Sequence, residues 1–148
     1  MRLSTEFRDL CRRHKLSATH QRQVIFETLQ SLHSHPSPEV LYERVRREIP
    51  SISLATVYKN LKTFVEAGML REVSLHHGTL RVDSNPHPHH HLVCASCKAI
   101  MDLDAASLAP IRLKSKLPKG FQVQRFSVDI IGLCRRCSRT RRGTVSSS

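Results

Sequence analysis

The sequence is poor in aromatic residues and contains no long apolar run. Its 148 residues include no tryptophan and only 5% aromatics, so any core must be built mainly from aliphatic side chains. No apolar stretch approaches the roughly 20 residues of a membrane span. The N-terminus lacks the apolar region of a signal peptide. We therefore expect a cytoplasmic protein that has no membrane partner.

Acidic residues are also scarce. The 12 Asp and Glu are outnumbered by 24 Lys and Arg, which gives a formal net charge of +12. A nucleic-acid partner is the first explanation for this balance. A metal-dependent hydrolase or nuclease would need a general base, yet no carboxylate stands beside the histidines in a HExxH-like arrangement. We therefore predict that the protein is not an enzyme. A metal-storage protein or chaperone is a third alternative, and it would bind no specific DNA sequence.

Apolar residues at helical spacing predict four helices in the first half of the chain. Thr19, Ser37 and Ser53 are suited to capping helix starts, Pro38 suits a first helical position, and Gly68 suits a left-handed stop. The predicted helices cover residues 3–14, a segment from Thr19 to about Leu32, a segment from Ser37 to about Ile49 with Val40, Leu41 and Val45 inward, and a segment from Ser53 to Gly68.

After the fourth helix, two strand-like runs, MLREVSL and TLRVD, are joined through His76-His77-Gly78. Helices followed by a hairpin predict a winged helix-turn-helix over residues 1–84, with the fourth helix in the major groove of a double-stranded operator. Its lysines suit phosphates, its tyrosine a thymine methyl or phosphate, and its threonine a base edge. The alternative is a solvated helix face. The candidate DNA-binding residues are Ser53, Thr56, Tyr58, Lys59 and Lys62.

The composition of Ser84-Asn85-Pro86 predicts a linker, and residues 85–148 are predicted to form a small α/β dimerisation domain. The whole chain is therefore predicted to be α+β. Since the unit is small and its last strand is apolar, we expect it to pair with a second copy as a homodimer. The expected elements are strands over 89–93 and 99–103, a helix from Asp104 that contains Leu108, Ile111 and Leu113, a strand over 121–133, and a basic tail that frays at its end.

Two Cys-x-x-Cys pairs, Cys94 with Cys97 and Cys134 with Cys137, are the strongest chemical signal. Each pair can present two thiolates to one tetrahedral ion, and four thiolates leave no open position, which is typical of structural zinc. The alternatives are disulfides, which a reducing compartment disfavours, and a thioredoxin-like redox pair, which expects one such motif in a βαβ unit. Cys11 has no partner cysteine nearby and is interpreted as a small apolar residue of the first helix.

The run HPHHHLVCASC over residues 87–97 carries a second set of candidate ligands. On an extended strand His89 and His91 share one face and His90 lies on the other, so one strand can feed two sites. A mixed nitrogen and oxygen set of five would suit Fe2+ or Mn2+ better than a structural zinc. We leave His87 and His90 out of both sites. The remaining candidate ligands are His35, Asp83 and Asp102, and the alternative for the first two is an ordinary loop histidine and turn residue.

Four segments together resemble the ferric-uptake-regulator family, and they span about Leu16 to Cys137. They are LSATHQRQVIFETL, HPSPEVLYERVRREIPSISLATVYKNLKTFVEAGM, HHHLVCASCKAIMDLD and the final Cys-x-x-Cys. The resemblance implies a dimeric, metal-dependent DNA-binding repressor with a winged helix before an α/β dimerisation domain. It implies structural Zn2+ at Cys94, Cys97, Cys134 and Cys137, and regulatory Fe2+ or Mn2+ at His35, Asp83, His89, His91 and Asp102.

Within this family, Asp83 and Asp102 indicate the peroxide-sensing branch, since iron-uptake members usually place Glu in this site. In that branch peroxide reacts with bound Fe2+ and oxidises a histidine ligand, and the matching residues are His35 and His89. Oxidation loosens the metal and releases DNA, whereas Mn2+ represses without sensing. No small-molecule substrate is expected beyond metal and peroxide. The alternative is an iron- or zinc-uptake regulator of the same family.

Overall fold

The computed structural model describes residues 3–32, 35–73, 80–85 and 87–143. Its internal contacts divide the chain into two units, Met1–Pro86 and His87–Ser148. Within the described ranges, no helix is both long enough and apolar enough to cross a membrane.

Each of the first four helices begins after a side-chain hydroxyl that accepts a hydrogen bond from the helix's own backbone. This interaction satisfies one of the N–H groups that a helix start leaves without a partner. The predicted caps Thr19, Ser37 and Ser53 are confirmed, and Ser4 caps the first helix in the same way. The helices are α1 (Thr5–Arg13), α2 (His20–Ser31), α3 (Pro38–Val45) and α4 (Leu54–Glu66).

The core of the first unit is aliphatic with three stacked phenylalanines, as the composition predicts. Helices α2, α3 and α4 pack on one another around residues that are almost fully buried, and Phe26 lies between Phe7 and Phe64. Cys11 is 1% exposed within this core, which confirms its interpretation as a small apolar residue. Burial raises the pKa of its thiol.

The third helix departs from the prediction in two ways. Val40 is 50% exposed rather than inward, because the inward face of a helix this short is occupied by Leu41 and Val45, one turn apart. The helix also ends at Val45 rather than near Ile49. The N–H of Glu48 bonds to the carbonyl of Val45, a three-residue step that tightens the chain into a turn.

A two-stranded antiparallel hairpin follows α4. Gly68 has a φ of +76°, which confirms the left-handed stop of the helix. Strand β1 (Arg71–Glu72) then pairs with β2 (Val82–Asp83). The predicted turn at His76-His77-Gly78 lies outside the described residues. Helices followed by this hairpin give the first unit the predicted winged-helix order of elements.

The second unit is built on the strand that carries the histidines. Strand β3 (His89–Cys94) lies in the centre of a three-stranded sheet of order β4-β3-β5. It pairs antiparallel with β4 (Ile100–Asp104) and parallel with β5 (Asp129–Gly132). Both β3 and β4 fall where they were predicted, and the α+β class of the chain is confirmed.

Two predictions for the second unit are wrong. The helix expected from Asp104 is a single 3₁₀ turn, Ala105–Ser107, and the chain after it contains Pro110 and lies largely exposed. The expected strand over 121–133 is regular only in β5, because its earlier residues have no strand beside them among the described residues. The basic tail forms a helix, α5 (Arg135–Gly143), that begins between the last two cysteines. Residues 144–148 lie outside the described part.

Candidate metal centres and the DNA-binding helix

The structure brings the four predicted zinc ligands together in the second unit. The Sγ atoms of Cys94, Cys97, Cys134 and Cys137 all lie within 4.8 Å of one another. The Sγ atoms of Cys97 and Cys134 are 3.8 Å apart. Thiolates bound at about 2.3 Å to a tetrahedral zinc lie about 3.8 Å apart, so this spacing fits such an ion. All five cysteines are free thiols, and both pairs meet in one cluster, which favours metal binding over two disulfides.

Two local turns position these sulfurs. After Cys94 ends β3, the N–H of Lys98 bonds to the Cys94 carbonyl, and Lys98 adopts a left-handed φ of +64°. This tight turn returns the chain into β4 and exposes Cys97. On the other side, the N–H of Ser138 bonds to the carbonyl of Cys134, which places Cys137 in the first turn of α5.

Backbone N–H groups stabilise the thiolate form of the cluster. The N–H of Cys134 donates to the sulfur of Cys94 at 3.4 Å, and with further N–H groups it lowers the pKa of the Cys94 thiol to about 6. The pKa of Cys134 is lowered as well, first by the backbone N–H of Cys137. The guanidinium of Arg136 hydrogen-bonds with Cys97, which raises the pKa of Arg136. Neighbouring sulfurs of the cluster raise the pKa of Cys137 instead. Thiolate is the form that binds metal, so Cys94 and Cys134 are the two cysteines whose surroundings favour metal binding.

In the first unit, His35 and Asp83 form a buried pair. The distance from His35 Nε2 to Asp83 Oδ1 is 3.6 Å, and both side chains are 5% exposed. Arg81 donates to the carbonyl of His35 at 2.7 Å, and the N–H of Asn85 donates to the Asp83 carboxylate at 2.8 Å. Two candidate ligands that are 48 positions apart in sequence are therefore neighbours, each held by a separate hydrogen bond.

In the second unit, His89 and His91 share a face of β3, as the strand periodicity predicts. Their ring centroids are 4.9 Å apart at an interplanar angle of 84°. His89 Nε2 lies 3.7 Å from Asp102 Oδ1 on β4. His89 Nδ1 lies 2.7 Å from the carbonyl oxygen of His87. Since a carbonyl only accepts, Nδ1 is the donor in this contact, and Nε2 is the ring nitrogen available to a metal.

Asp129 is a carboxylate of this cluster that the sequence did not reveal. Its Oδ1 lies 3.4 Å from His91 Nδ1, and the two residues are register partners across the parallel pair β3 and β5. The sequence indicates Asp129 only as an acidic residue inside the apolar run FSVDIIGL. The contact depends on which strand β5 pairs with and in which register, and a single sequence does not specify either.

The two histidines left out of both sites have other contacts. The Nδ1 atom of His90 accepts a hydrogen bond from the N–H of Val128 at 3.2 Å, so this lone pair serves to hold the start of β5. His87 is exposed, and its carbonyl is the group that orients His89.

The candidate DNA-binding residues all lie on or next to α4. Ser53 is its cap, and the hydroxyl of Ser53 lies 2.8 Å from that of Thr56. The hydroxyl of Tyr58 donates to Glu39 on α3 at 2.9 Å, so it joins the two helices. The side chains of Lys59 and Lys62 are exposed and carry the positive charge of this helix.

Comparisons of the sequence and of the structure with known proteins find relatives of the same kind. The sequence model of the Ferric uptake regulator family matches residues 13–131. The chain is 34% identical over 119 residues, 80% of either chain, to the peroxide-responsive repressor PerR of Staphylococcus aureus strain USA300. Among solved structures, the Campylobacter jejuni peroxide stress regulator is 29% identical with a TM-score of 0.62, covering 93% of this chain and all of that one. The Vibrio cholerae ferric uptake regulator is 26% identical with a TM-score of 0.66, covering 86% and 98%.

The family match covers most of the chain, and both the order of elements and the two ligand clusters agree with it. The resemblance inferred from the sequence motifs is therefore confirmed. This chain belongs to the ferric uptake regulator family.

Proposed function

We propose that this protein is a metal-dependent, DNA-binding repressor that senses peroxide through oxidation of a histidine ligand. Membership of the ferric uptake regulator family makes it a metal-responsive regulator. The finer assignment has the support of two relatives, one described as peroxide-responsive and one as a peroxide stress regulator. It also agrees with aspartates, rather than glutamates, at Asp83 and Asp102.

Zn2+ is the proposed structural metal of the second unit, held by Cys94, Cys97, Cys134 and Cys137. The support is the sulfur spacing, which fits a tetrahedral ion, and the lowered pKa of the Cys94 and Cys134 thiols. Four cysteine ligands leave no position for substrate, so this metal has a structural role. It fixes the chain before α5 to the turn between β3 and β4.

Fe2+ or Mn2+ is the proposed regulatory metal, and it requires ligands from both units. The observation that carries this proposal is the orientation of the His89 ring, whose Nδ1 lies 2.7 Å from the His87 carbonyl oxygen while Nε2 lies 3.7 Å from Asp102. A histidine oriented in this way through its second nitrogen is typical of metal ligands. Imidazoles and carboxylates together suit Fe2+ and Mn2+. The proposed ligands are His35, Asp83, His89, His91 and Asp102.

Bound Fe2+ would activate peroxide for cleavage of its O–O bond, so that one oxygen atom passes to a histidine ring and the other leaves as water. The proposed oxidation sites are the ligands His35 and His89. The ring of either histidine would gain one oxygen. An oxidised ring is a poorer ligand, so the regulatory metal leaves. Metal bound by both units favours one arrangement of the units over others, and its loss removes that preference together with operator affinity.

The proposed operator contacts are made by α4 from each half of a homodimer. Lys59 and Lys62 contact phosphates, while Thr56 and Tyr58 approach the base edges of the major groove. The dimer is supported by large apolar side chains that the second unit leaves exposed, among them Phe121, at 63%, and Ile131, at 61%. A sheet with such residues on its surface is typical of an interface.

The deciding experiment treats Fe2+-loaded protein with sub-stoichiometric peroxide and analyses its peptides by mass spectrometry. We expect one added oxygen on the His35 or His89 peptide, together with loss of operator binding. Protein loaded with Mn2+ is the matched control and should show neither change. If only cysteines are oxidised, the peroxide-sensing assignment is wrong, and the iron- or zinc-uptake alternative should then be tested by titrating operator binding with each metal.

A further inference from the structure

The helix after the cysteine cluster is the most strongly charged element of the chain. Helix α5, with the sequence RRCSRTRRG, holds five arginines and no acidic residue. The second half of the chain, residues 85–148, has 11 Lys and Arg against 3 Asp and Glu. The proposed sensing and operator contacts use none of these arginines.

Two of the arginines, Arg135 and Arg139, lie on the face of α5 opposite Cys137. At about 100° per residue, Arg135 and Arg139 lie about 40° apart, one turn along the helix. Cys137 lies about 160° or more from both, so it is on the opposite side. Both arginine side chains are exposed. The face that joins the cysteine cluster is therefore not the face that presents Arg135 and Arg139.

The acidic residues of the second unit are already engaged elsewhere. Asp102 lies beside His89, and Asp129 lies beside His91. Asp104 accepts a hydrogen bond from the N–H of Ala106 at 2.7 Å. These are the three carboxylate side chains that residues 85–148 contain, and each has a neighbour outside α5.

We infer that α5 is a second cationic surface, which binds the phosphate backbone of duplex DNA next to the sequence read by α4, and that the four-cysteine cluster holds it in place. This inference rests on the proposed function, because it takes DNA as the partner. An anionic membrane fits less well, since a membrane-surface helix needs an apolar face and α5 has none. Single-stranded nucleic acid fits less well because α5 has no aromatic residue on which bases can stack.

The dependence on the cluster follows from helix energetics. A helix of nine residues is marginal in water on its own, and like charges one turn apart, such as Arg135 and Arg139, oppose it further. The cluster fixes Cys134 and Cys137 at the start of α5, where helix formation is most costly. Loss of the metal should therefore weaken the charged surface as well as the fold.

The test measures how DNA affinity depends on salt. A duplex selected by this protein from a random library serves as operator, prepared as the minimal site and with ten flanking base pairs on each side. The test variant is Arg135→Gln with Arg139→Gln. The matched control, Lys114→Gln with Lys116→Gln, removes the same charge from exposed residues of the same unit that lie outside α5.

On the long duplex each dimer should lose four phosphate contacts, two from each α5, which makes the slope of log K against log salt less steep by about 3.6, since each contact contributes about 0.9. We expect no change on the minimal duplex and none for the control variant. Cys137→Ser should reduce the slope on the long duplex as the arginine variant does. Equal slopes for the arginine variant and the wild type on the long duplex would overturn the inference, as would an equal loss in the lysine control.

Two further outcomes separate this inference from the proposed function. One outcome is that the wild type selects no preferred sequence while its binding to long DNA still depends on Arg135 and Arg139. In that case the proposed function is wrong, and the inference that α5 binds DNA phosphates is supported. If the arginine variant instead loses binding to phosphatidylglycerol vesicles and keeps its DNA slope, a membrane is the partner and the inference is overturned.

Discussion

Arg22 on α2 donates from Nε to the side-chain oxygen of Asn60 on α4 at 3.3 Å. Asn60 donates in turn to the carbonyl of Thr56 at 2.8 Å, and a second nitrogen of Arg22 donates to the carbonyl of Ser17 at 2.6 Å. Asn60 is buried at 8% exposure, so its amide is a polar group inside the apolar contact between helices. This network orients α4 relative to α2.

Asn60→Ala should therefore destabilise the first unit. It leaves the Arg22 guanidinium without one buried acceptor, and such a loss costs about 1–3 kcal/mol. The free energy of unfolding in urea measures this loss. Thr63→Ala is the matched control, because the Thr63 hydroxyl bonds to the carbonyl of Lys59 on the same helix but in an exposed position. If both variants lose the same stability, the buried network has no special role.

The contact between Tyr58 and Glu39 predicts a pH dependence. The hydrogen bond raises the pKa of Tyr58, and the pKa of Glu39 is lowered, first by its own backbone N–H and then by Tyr58. The stabilisation is therefore complete above the ordinary 4.5 of Glu39 and below the ordinary 10.0 of Tyr58. It is lost as pH falls through the lowered pKa of Glu39 or rises through the raised pKa of Tyr58.

Glu39→Gln should bring the pKa of Tyr58 down toward its ordinary value. The tyrosinate absorbance measures this pKa, and a Tyr42→Phe background leaves Tyr58 as the sole tyrosine. Glu43→Gln is the control, since Glu43 lies on the same helix and pairs with Arg46. A Tyr58 pKa that is the same in both variants would contradict the assigned cause.

The cysteines should separate into two classes. Cys97→Ser removes one ligand of the cluster and should abolish zinc binding, measured as metal content after dialysis. Cys11→Ser should keep the zinc but destabilise the first unit by about 1–3 kcal/mol, because it places a hydroxyl in an apolar core. Zinc retained by Cys97→Ser, or lost from Cys11→Ser, would show that the cluster is not the zinc site.

Gly68→Ala should destabilise the end of α4 by about 1–2 kcal/mol, the usual cost of a left-handed residue that has a side chain. The cost is conformational, because the new Cβ would lie 3.7 Å from His14 Nδ1, an ordinary contact distance. Gly132→Ala is the control, since its Cβ would meet no atom within 4 Å and its φ is not positive. Thermal unfolding compares the two variants. Equal unfolding midpoints would show that Gly68→Ala causes no conformational strain.

Residues that act on their immediate neighbours in the chain gave the correct predictions of helix boundaries. The capping hydroxyls, Pro38 and Gly68 act on their own neighbours in the chain, and each predicted a helix boundary that the structure confirms. The pairing of β3 with β4 was also accessible, because only a short turn separates these strands.

Features that depend on distant pairing were not accessible. Asp129 meets His91 only because β5 lies parallel to β3, and the first part of the expected long strand has no neighbouring strand to hold it. The helix in the first part of the basic tail was also not predicted. Its helical form depends on the cysteines at its start, which are brought to the cluster by residues almost 40 positions earlier.

Strand β3 carries ligands of both proposed metal sites, and the two sets lie on opposite faces of the strand. His89 and His91 point to one side of the sheet, while Cys94 lies three residues after His91 and so belongs to the other. A single-residue insertion or deletion between His91 and Cys94 would turn one set toward the wrong face. This strand should therefore tolerate many changes of side chain but no change of length by a single residue, and any natural variation in length between His91 and Cys94 should come in steps of two residues.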